Sequence, residues 1–398
     1  MIKSVGIAGG GFGGIAAAYF LRTKGISCRV FDHRDGIAQE GGSITVFPNG
    51  MKILAKMGLA EAVANAGAII ENARFLDQKG NFLVNRSMGL EEIYGVPTVT
   101  IRRRKLLQLM YEQLVSSGAA IEFGKTVQEV SSTNRAVLKF ADGTVEDFDF
   151  VIGADGVHSS VRECISGGAV NEFSNLIYFG GIVERAAKDF SFHQRTQYVN
   201  VGRTGFFAYS YIDGESESSR SILWYCYFAS PEPVKRGGES ERVLERRAKE
   251  KFGSWCEPVP ELVEKSDSYC IANVRRIVGL ERWSKGRIAL IGDAAHALSP
   301  VSGQGASLAM EDAELLAHLA GSQNFSDFGS MFSRYECLRR ERVSGLFERA
   351  ERSSKLMMIS LPRPVQILRN LAFSAQVKLS SEEKLNGAFS YSLESFMD

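Results

Sequence analysis

The 398-residue sequence predicts an α/β chain in which a doubly wound parallel-sheet domain, discontinuous in sequence, carries an inserted, mainly antiparallel sheet and ends in C-terminal helices. Three observations predict it. A strand, glycine turn, helix and strand open the chain. Two further apolar strands, far downstream, also run into glycine-rich turns. Part of the sequence between them changes to strands of alternating aromatic residues.

In the opening unit Val5, Ile7 and Ala8 form a short buried strand, and Gly9-Gly10-Gly11-Phe12-Gly13-Gly14 follows. Ala16, Ala17, Ala18, Phe20 and Leu21 then recur at helical spacing, Gly25 is a stop, and a second strand over 27–31 ends on Asp32. The pattern GxGxxG falls on Gly9, Gly11 and Gly14. Gly9 permits the tight turn, Gly11 lets a pyrophosphate approach the backbone, and Gly14 allows close packing of helix on strand, with Phe12 and Gly13 between them as further cofactor-binding candidates. The helix N-terminus directs N–H groups and a positive dipole end at phosphates. Asp32, eighteen residues after Gly14, is placed to accept ribose hydroxyls. This Rossmann-like unit serves FAD and NAD equally well.

The second feature is the strand Val151-Ile152-Gly153-Ala154 running into Asp155-Gly156 and a polar turn that ends on Arg162. The third is an apolar run to Ile291, then Gly292-Asp293-Ala294-Ala295-His296. Pro300, Gly303, Gln304 and Gly305 follow, and a helix begins at Ala306 with Leu308, Ala309, Ala313, Leu316 and Ala317 on one side. Between these features, hairpins are predicted around Gly80 and over 136–148, with a helix over 105–117. Strands over 197–201, 205–212 and 221–228 precede a charged helix over 239–252. The aromatic residues of these strands alternate, so Phe207, Tyr209 and Tyr211 share one face. Trp224, Cys226 and Phe228 share another, opposite Leu223, Tyr225 and Tyr227. Residues 328–354 read as a helix whose Arg334, Arg339, Arg340, Glu341, Arg342 and Glu348 are expected on a solvated face. Beyond Pro362 one further helix and a tail are expected, against the first domain or at a subunit contact.

Composition narrows the function. The 47 basic and 46 acidic residues nearly cancel, leaving a formal charge of +1 and no footprint for nucleic acid or an anionic membrane. No run approaches the 18 or so apolar residues of a spanning helix. The first strand begins beside Met1, with no signal segment ahead of it, and the six cysteines include no close pair. Both point to reduced thiols and a cytoplasmic location. No metal-ligand spacing is present, and no metal is expected.

The three motifs, in this order, resemble the para-hydroxybenzoate hydroxylase family, the class A flavoprotein monooxygenases. Gly42-Ser43-Ile44 leading to Pro48-Asn49-Gly50, then Leu54 and Gly58-Leu59, supports the resemblance. So does Arg103 with Leu106 as an Arg-x-x-Leu motif, a register that Arg104 with Leu107 also fits. The matches span roughly residues 1–320; the Pro48-Asn49-Gly50 region is similar to the urate and nicotinate hydroxylase branch, and the hairpin near Gly80 with the compact length resembles the tetracycline-inactivating branch.

The resemblance implies that Asp293 meets the ribityl chain or pyrophosphate of FAD and that Arg103 lies near the cofactor. It implies that Asp155 and Gly156 serve both FAD and the nicotinamide donor, and that the loop of Pro300, Gly303, Gln304 and Gly305, with Ala306, borders the isoalloxazine. The implied division is 1–75, 98–170 and 276–350 for FAD, 76–97 and 171–275 for substrate, and 351–398 as a C-terminal helical segment. The implied reaction uses NADPH or NADH and molecular oxygen to hydroxylate an aromatic, heteroaromatic or polyketide-like small molecule through a flavin hydroperoxide, in a monomer or homodimer. A flavin oxidase or reductase without oxygen insertion is the enzymatic alternative, and a module holding FAD structurally is the non-enzymatic one. A single GxGxxG excludes a second dinucleotide domain, and the isolated tryptophans lack the Trp-x-Trp of flavin halogenases. Phe179, Phe207, Tyr209, Trp224 and Tyr225 are the substrate-pocket candidates. No general base is assigned; His193, Tyr209 and Tyr225 are candidates.

Overall fold

The computed structural model describes residues 2–38, 41–89, 91–166, 168–186, 189–203, 205–213, 220–235, 237–297, 303–322, 324–358, 361–380 and 387–394, with 349–358 described as backbone only. The chain opens with β1 (Ser4–Ala8), α1 (Phe12–Thr23) and β2 (Ser27–Asp32), as the glycine pattern predicts. It continues through β3 (Ser43–Val46), α2 (Pro48–Lys56), α3 (Ala60–Ala66), β4 (Ala68–Ile69), β5 (Asn72–Asp77), β6 (Phe82–Ser87) and α4 (Glu91–Tyr94). Next come β7 (Val99–Arg102), α5 (Arg103–Ser116), β8 (Ile121–Phe123), β9 (Val127–Ser132), β10 (Ala136–Phe140), β11 (Val145–Phe148), β12 (Phe150–Gly153) and α6 (Ser160–Ile165). The aromatic stretch holds β13 (Val170–Val183), β14 (Thr196–Gly202), β15 (Gly205–Tyr211), β16 (Ile222–Ala229), α7 (Gly238–Phe252), α8 (Val259–Glu264) and β17 (Ser268–Val278). β18 (Ser284–Lys285), β19 (Ile288–Leu290), α9 (Asp293–His296), α10 (Gly305–Gly321), α11 (Phe328–Met358) and α12 (Arg363–Leu379) complete it, with a short 3-10 turn over Gly387–Phe389.

The first sheet runs β18-β19-β12-β1-β2-β8 and is parallel apart from its β18–β19 edge. All four residues of β12 and all but the first of β1 are buried, with the antiparallel sheet β11-β10-β9 packed on one face, where Phe31 meets Phe140 at 4.7 Å. Gly13 packs α1 against α10, where a methyl group in its place would stand 3.3 Å from the Ala309 Cβ.

The second sheet runs β17-β13-β16-β15-β14-β5-β6, antiparallel except for the β14–β5 pair. The hairpin around Gly80 supplies its β5–β6 edge, so a segment distant in sequence completes the inserted sheet.

Two expectations for the C-terminal part are corrected. The charged helix α11 does not keep all its charges in water. Met331, Phe332, Tyr335, Val343 and Leu346 form its buried stripe, and Arg339 occupies a position on that stripe with no exposed surface. Arg334, Glu341 and Glu348 do face solvent. The last helix, α12, lies on the second sheet rather than the first: Phe373 meets the β5 residue Phe75 edge-on at 4.9 Å. The tail then returns to the first domain, stacking Phe389 on Phe47 at 4.7 Å and burying Tyr391 near Glu311.

Candidate active site

Two of the opening glycines are steric requirements. Gly9 has φ +105°, and a methyl group there would stand 2.3 Å from the Ala154 carbonyl oxygen; at Gly14 it would stand 1.8 Å from that of Gly9. Gly11 is different. Nothing lies within 4 Å of where its Cβ would project. It caps α1, and no side-chain hydrogen bond occupies that cap. A pyrophosphate fits that space.

Arg103, at the start of α5, holds its guanidinium 4.7 Å from the centroid of the Phe12 ring, and its N–H donates to the Gly42 oxygen. Of the two arginine registers, this one lies against the glycine turn. Leu106 and Leu107 are both buried, which explains why the sequence pattern alone fits either.

Asp32 is buried at the end of β2, and its four acceptor positions are filled within the chain. It accepts from Gly10 N–H at 2.7 Å, Arg34 N–H at 2.9 Å, and the Arg34 guanidinium at 2.8 and 2.6 Å. Burial opposes its charge, but the Arg34 side chain and the two amides outweigh burial and hold the carboxyl below its ordinary range. Asp32 therefore braces the glycine turn, and a ribose hydroxyl would have to displace Arg34 to reach it.

The Asp155-Gly156 turn leaves β12 with Gly156 at φ +79°, where only glycine is unstrained. One Asp155 oxygen accepts from Val161 N–H at 3.1 Å, while Oδ1 is buried without a hydrogen-bond partner. Burial raises its pKa. That unpartnered oxygen, beside the glycine turn, is free to accept a hydrogen bond from a ligand. Arg162, 2% exposed, donates to the oxygens of Val157 at 2.8 Å and Ala294 at 3.1 Å, locking this turn to the third motif.

In the third motif Gly292 has φ +58° and donates its N–H to Asp312 at 2.8 Å. The same Asp312 oxygen lies 2.6 Å from His296 Nε2, and the other accepts from Arg339 at 2.6 Å. Arg339 also meets Glu311 at 2.6 Å, Glu311 takes Arg342, and Asn49 bridges Glu311 and Gln304. His296 is thus a structural histidine. Burial works against the Asp312 charge, yet His296 and Arg339 hold its carboxyl at about 2.

This buried network fixes a turn that leaves Asp293 exposed while Gly292, Ala294 and Ala295 are buried. A methyl group on Gly305 would stand 3.8 Å from the Asp293 Oδ1, so the carboxylate lies beside the start of α10. Gln304 caps α10 without a side-chain bond to it, Gly303 has φ +64° and abuts Phe47, and Ala306 follows in the first turn. Pro300 lies outside the described residues.

The second sheet sorts the pocket candidates by face. Phe179, Phe207, Tyr209 and Trp224 share one face, by register Phe179↔Cys226↔Phe207 and Tyr209↔Trp224. That face packs on helices: Phe207 meets Phe252 of α7 at 5.1 Å, and Trp224 donates to Ser266, just past α8, at 2.7 Å. These four rings are core, and they do not line the side turned to the glycine motifs.

Tyr225 is on the other face, with Tyr178, Phe206, Gln197 and Leu223. Leu223 and Cys270 on this face approach Gly42, so it is the one turned to the first domain. Tyr225 and Tyr178 stack at 5.6 Å. Both are deep in the protein, and burial pushes Tyr225 up to about 12 and Tyr178 well above its ordinary value. Both nonetheless keep accessible surface, as residues on a cavity wall do. Of the base candidates, His193 is exposed beside Thr196, and Tyr209 is in the helix-packed core. Sequence alternation identified two faces but carried no sign of which one α7 and α8 cover.

Residues 3–349 match the FAD binding domain family. The chain is 30% identical over 354 residues to 3-amino-4-hydroxybenzoate 2-monooxygenase of Streptomyces cremeus, covering 87% of this chain and 86% of that one. It is also 30% identical over 355 residues to 6-hydroxynicotinate 3-monooxygenase of Pseudomonas fluorescens, covering 85% and 88%. In fold it resembles Klebsiella pneumoniae HpxO complexed with FAD and uric acid, with TM-score 0.81 and 23% identity over 99% and 97% of the two chains. With the open glycine turn, the incomplete Asp155 and the outward Asp293 all fitting the cofactor, the chain belongs to the FAD binding domain family and is an FAD-dependent class A flavoprotein monooxygenase.

Proposed function

We propose that this enzyme hydroxylates a small aromatic or heteroaromatic substrate held between the Tyr178–Tyr225 face of the second sheet and the Gly303–Ala306 turn, with NADH or NADPH as electron donor and molecular oxygen as co-substrate. The observation that supports it is the stacked pair Tyr178 and Tyr225, with Phe206 beside them, on the sheet face that approaches the first domain at Gly42. Flat rings suit such a surface. The two sequence relatives, named for an aminohydroxybenzoate and a hydroxynicotinate, support the same substrate class.

FAD, when bound, supplies the redox chemistry and the activation of oxygen. The rest falls to this chain. Gly11 and the first turn of α1 would take the pyrophosphate, the Asp293 carboxylate would accept hydrogen bonds from the ribityl hydroxyls, and Arg103 and Asp155 would stand beside the cofactor. The N-terminus of α10, at Gly305 and Ala306, directs N–H groups at the edge where reduction leaves negative charge. Tyr225, with its proton held to about 12, acts as a donor that orients substrate and not as a base. The sheet and α12 exclude water from the reacting ring.

For the domain division we propose 1–75, 98–170 and 276–350 on the FAD side, with the first boundary moved ahead of β5, whose Asn72–Asp77 pair with β14 in the second sheet. A cytoplasmic location is supported by six free cysteines, and among the described residues no helix is long and apolar enough to cross a membrane. The test is rapid mixing of the reduced enzyme with labelled oxygen in the presence of 3-amino-4-hydroxybenzoate, 6-hydroxynicotinate and related rings. One labelled oxygen atom in the product is expected. Stoichiometric peroxide with no oxygenated product from any of the rings would establish the oxidase reading instead.

A further inference from the structure

Helix α12 is amphipathic in the reverse sense. Its solvent side carries Ile367, Leu368, Leu371 and Leu379, at 54, 68, 63 and 86% exposure, while Gln366 and Arg369 turn inward at 8% each. A helix that only closed a core would point its leucines inward. Beneath α12, Phe373 and Val377 join the apolar core of the second sheet, and Gln366 and Arg369 add two polar groups to that inner side. Phe373, on the same inner side, meets Phe75, which the register places on the sheet face that carries Tyr225 and Tyr178. The inner side of α12 thus packs on the Tyr225 face of the second sheet at its β5 edge.

Arg369 is the charged group on that inner side. Its Nη2 donates to the Gly202 oxygen at 3.3 Å and to the Asn370 Oδ1 at 2.9 Å, and its Nε to the same Oδ1 at 3.2 Å. Its Nη1 is buried with no hydrogen-bond partner. Burial lowers its pKa with no carboxylate offsetting the effect. A cation kept in such a place destabilises the fold unless something completes its hydrogen bonding. The two N–H ends of a guanidinium match a carboxylate.

We propose that Arg369 recognises a carboxylate-type acid group of the substrate, at the end of the cavity beneath α12. The inference rests on the placement of substrate against the Tyr178–Tyr225 face. Val201, beside Gly202 on β14, pairs with Phe206, whose ring meets Tyr225 at 6.1 Å, so Arg369 stands at the Phe206 end of that face. The acid group is accordingly carried on the end of the substrate that lies toward Phe206.

The probes are 4-hydroxyphenyl alkanoic acids, from 4-hydroxybenzoate to the longer-chain homologues, each paired with its methyl ester. Binding is read by perturbation of the flavin absorbance and by thermal stabilisation, neither of which needs turnover. At one or more chain lengths the wild type should bind acid at least about tenfold tighter than ester. Arg369→Gln should abolish that preference while leaving ester binding and FAD content unchanged, and Arg369→Lys should retain part of it. FAD content and folded-state spectra establish that the variants fold, and should Arg369→Gln fail to, the Arg369→Lys acid-to-ester ratio decides. An acid preference that survives substitution, or a wild type that prefers no acid at any length, overturns the proposal. If the acids bind through Arg369 but no oxygenated product forms, the anion site stands and the monooxygenase placement falls.

Discussion

Replacing Arg339 with Met removes the one cation that serves two fully buried carboxylates. The substitution preserves length and apolar volume, so the loss is one of charge and hydrogen bonds: 2.6 Å contacts to Asp312 and Glu311 and a 3.3 Å bond to the Leu308 oxygen. Breaking a buried pair from one side costs about 3–5 kcal/mol. Here the lower end applies, because Glu311 keeps Arg342 at 2.7 Å and Asp312 keeps His296 at 2.6 Å. About 3 kcal/mol at roughly 2 °C per kcal/mol gives a fall of about 6 °C in the unfolding midpoint, measured by the rise in flavin fluorescence as FAD is released.

The pH dependence carries a second, sharper signature. In the wild type Asp312 titrates near 2 against an ordinary 3.8, so its stabilising effect is full above about pH 4 and is lost as pH falls toward 2. In the variant the Asp312 carboxyl keeps His296 and the Gly292 N–H but loses Arg339, so its pKa rises from the wild-type value. The wild type then loses more stability than the variant on acidification, and the deficit should shrink as pH falls from about 4 toward 2. A midpoint unchanged by Arg339→Met, or a deficit that grows on acidification, would refute the role given to this network.

The opening glycines give a paired prediction. Gly14→Ala should abolish soluble holoenzyme, because its Cβ would stand 1.8 Å from the Gly9 oxygen, whereas Gly11→Ala should fold normally, its Cβ meeting no protein atom within 4 Å. Gly11→Ala should still lose FAD affinity, tenfold or more, as read by the flavin-to-protein ratio after dialysis. Retention of FAD equal to wild type would remove Gly11 from the pyrophosphate site. Asp293→Ala should likewise weaken FAD retention without lowering the apoprotein midpoint, since the side chain is exposed; an unchanged dissociation constant, measured by fluorescence titration, excludes it from the cofactor site.

The first domain was legible because its constraints are local. Gly9 and Gly14 are dictated by backbone approach, and a two-turn strand–helix unit leaves a pattern that one sequence displays. The second sheet was legible as strands and as alternation, since β14, β15 and β16 fall where the period of two puts them. Which face was the site was not. Phe207 and Tyr225 differ only in parity, and the choice is made by α7 and α8, whose docking side no strand residue encodes. Every residue of β15 is buried, so even the polar–apolar contrast that marks a solvated face is missing. Arg339 was hidden in another way. It lies at the helical spacing of Phe332, Tyr335, Val343 and Leu346, a position that an apolar stripe reserves for the core. Spacing alone would have buried it, but its charge led to the opposite expectation, since a charge run is ordinarily solvated.

That buried charge explains why the third motif needs acid residues behind it. Gly292 sits at φ +58° and ψ −141°, a conformation outside the usual regions, with its N–H turned into the protein. An apolar residue at position 312 would leave that N–H unsatisfied and the turn free to relax. Asp312 satisfies the N–H, but a lone carboxylate at that depth would itself be protonated or destabilising, and so Arg339 and His296 are required beside it. Arg339 in turn needs Glu311 to balance its second nitrogen, and Glu311 reaches Asn49 and, through it, the Gln304 cap of α10. One chain of buried charges thereby ties the turn that presents Asp293 to the helix start that presents Gly305. Apolar packing of the same volume would be as stable or more so. It could not hold two backbone turns in register across the cofactor site, because only the directional bonds specify where each N–H points.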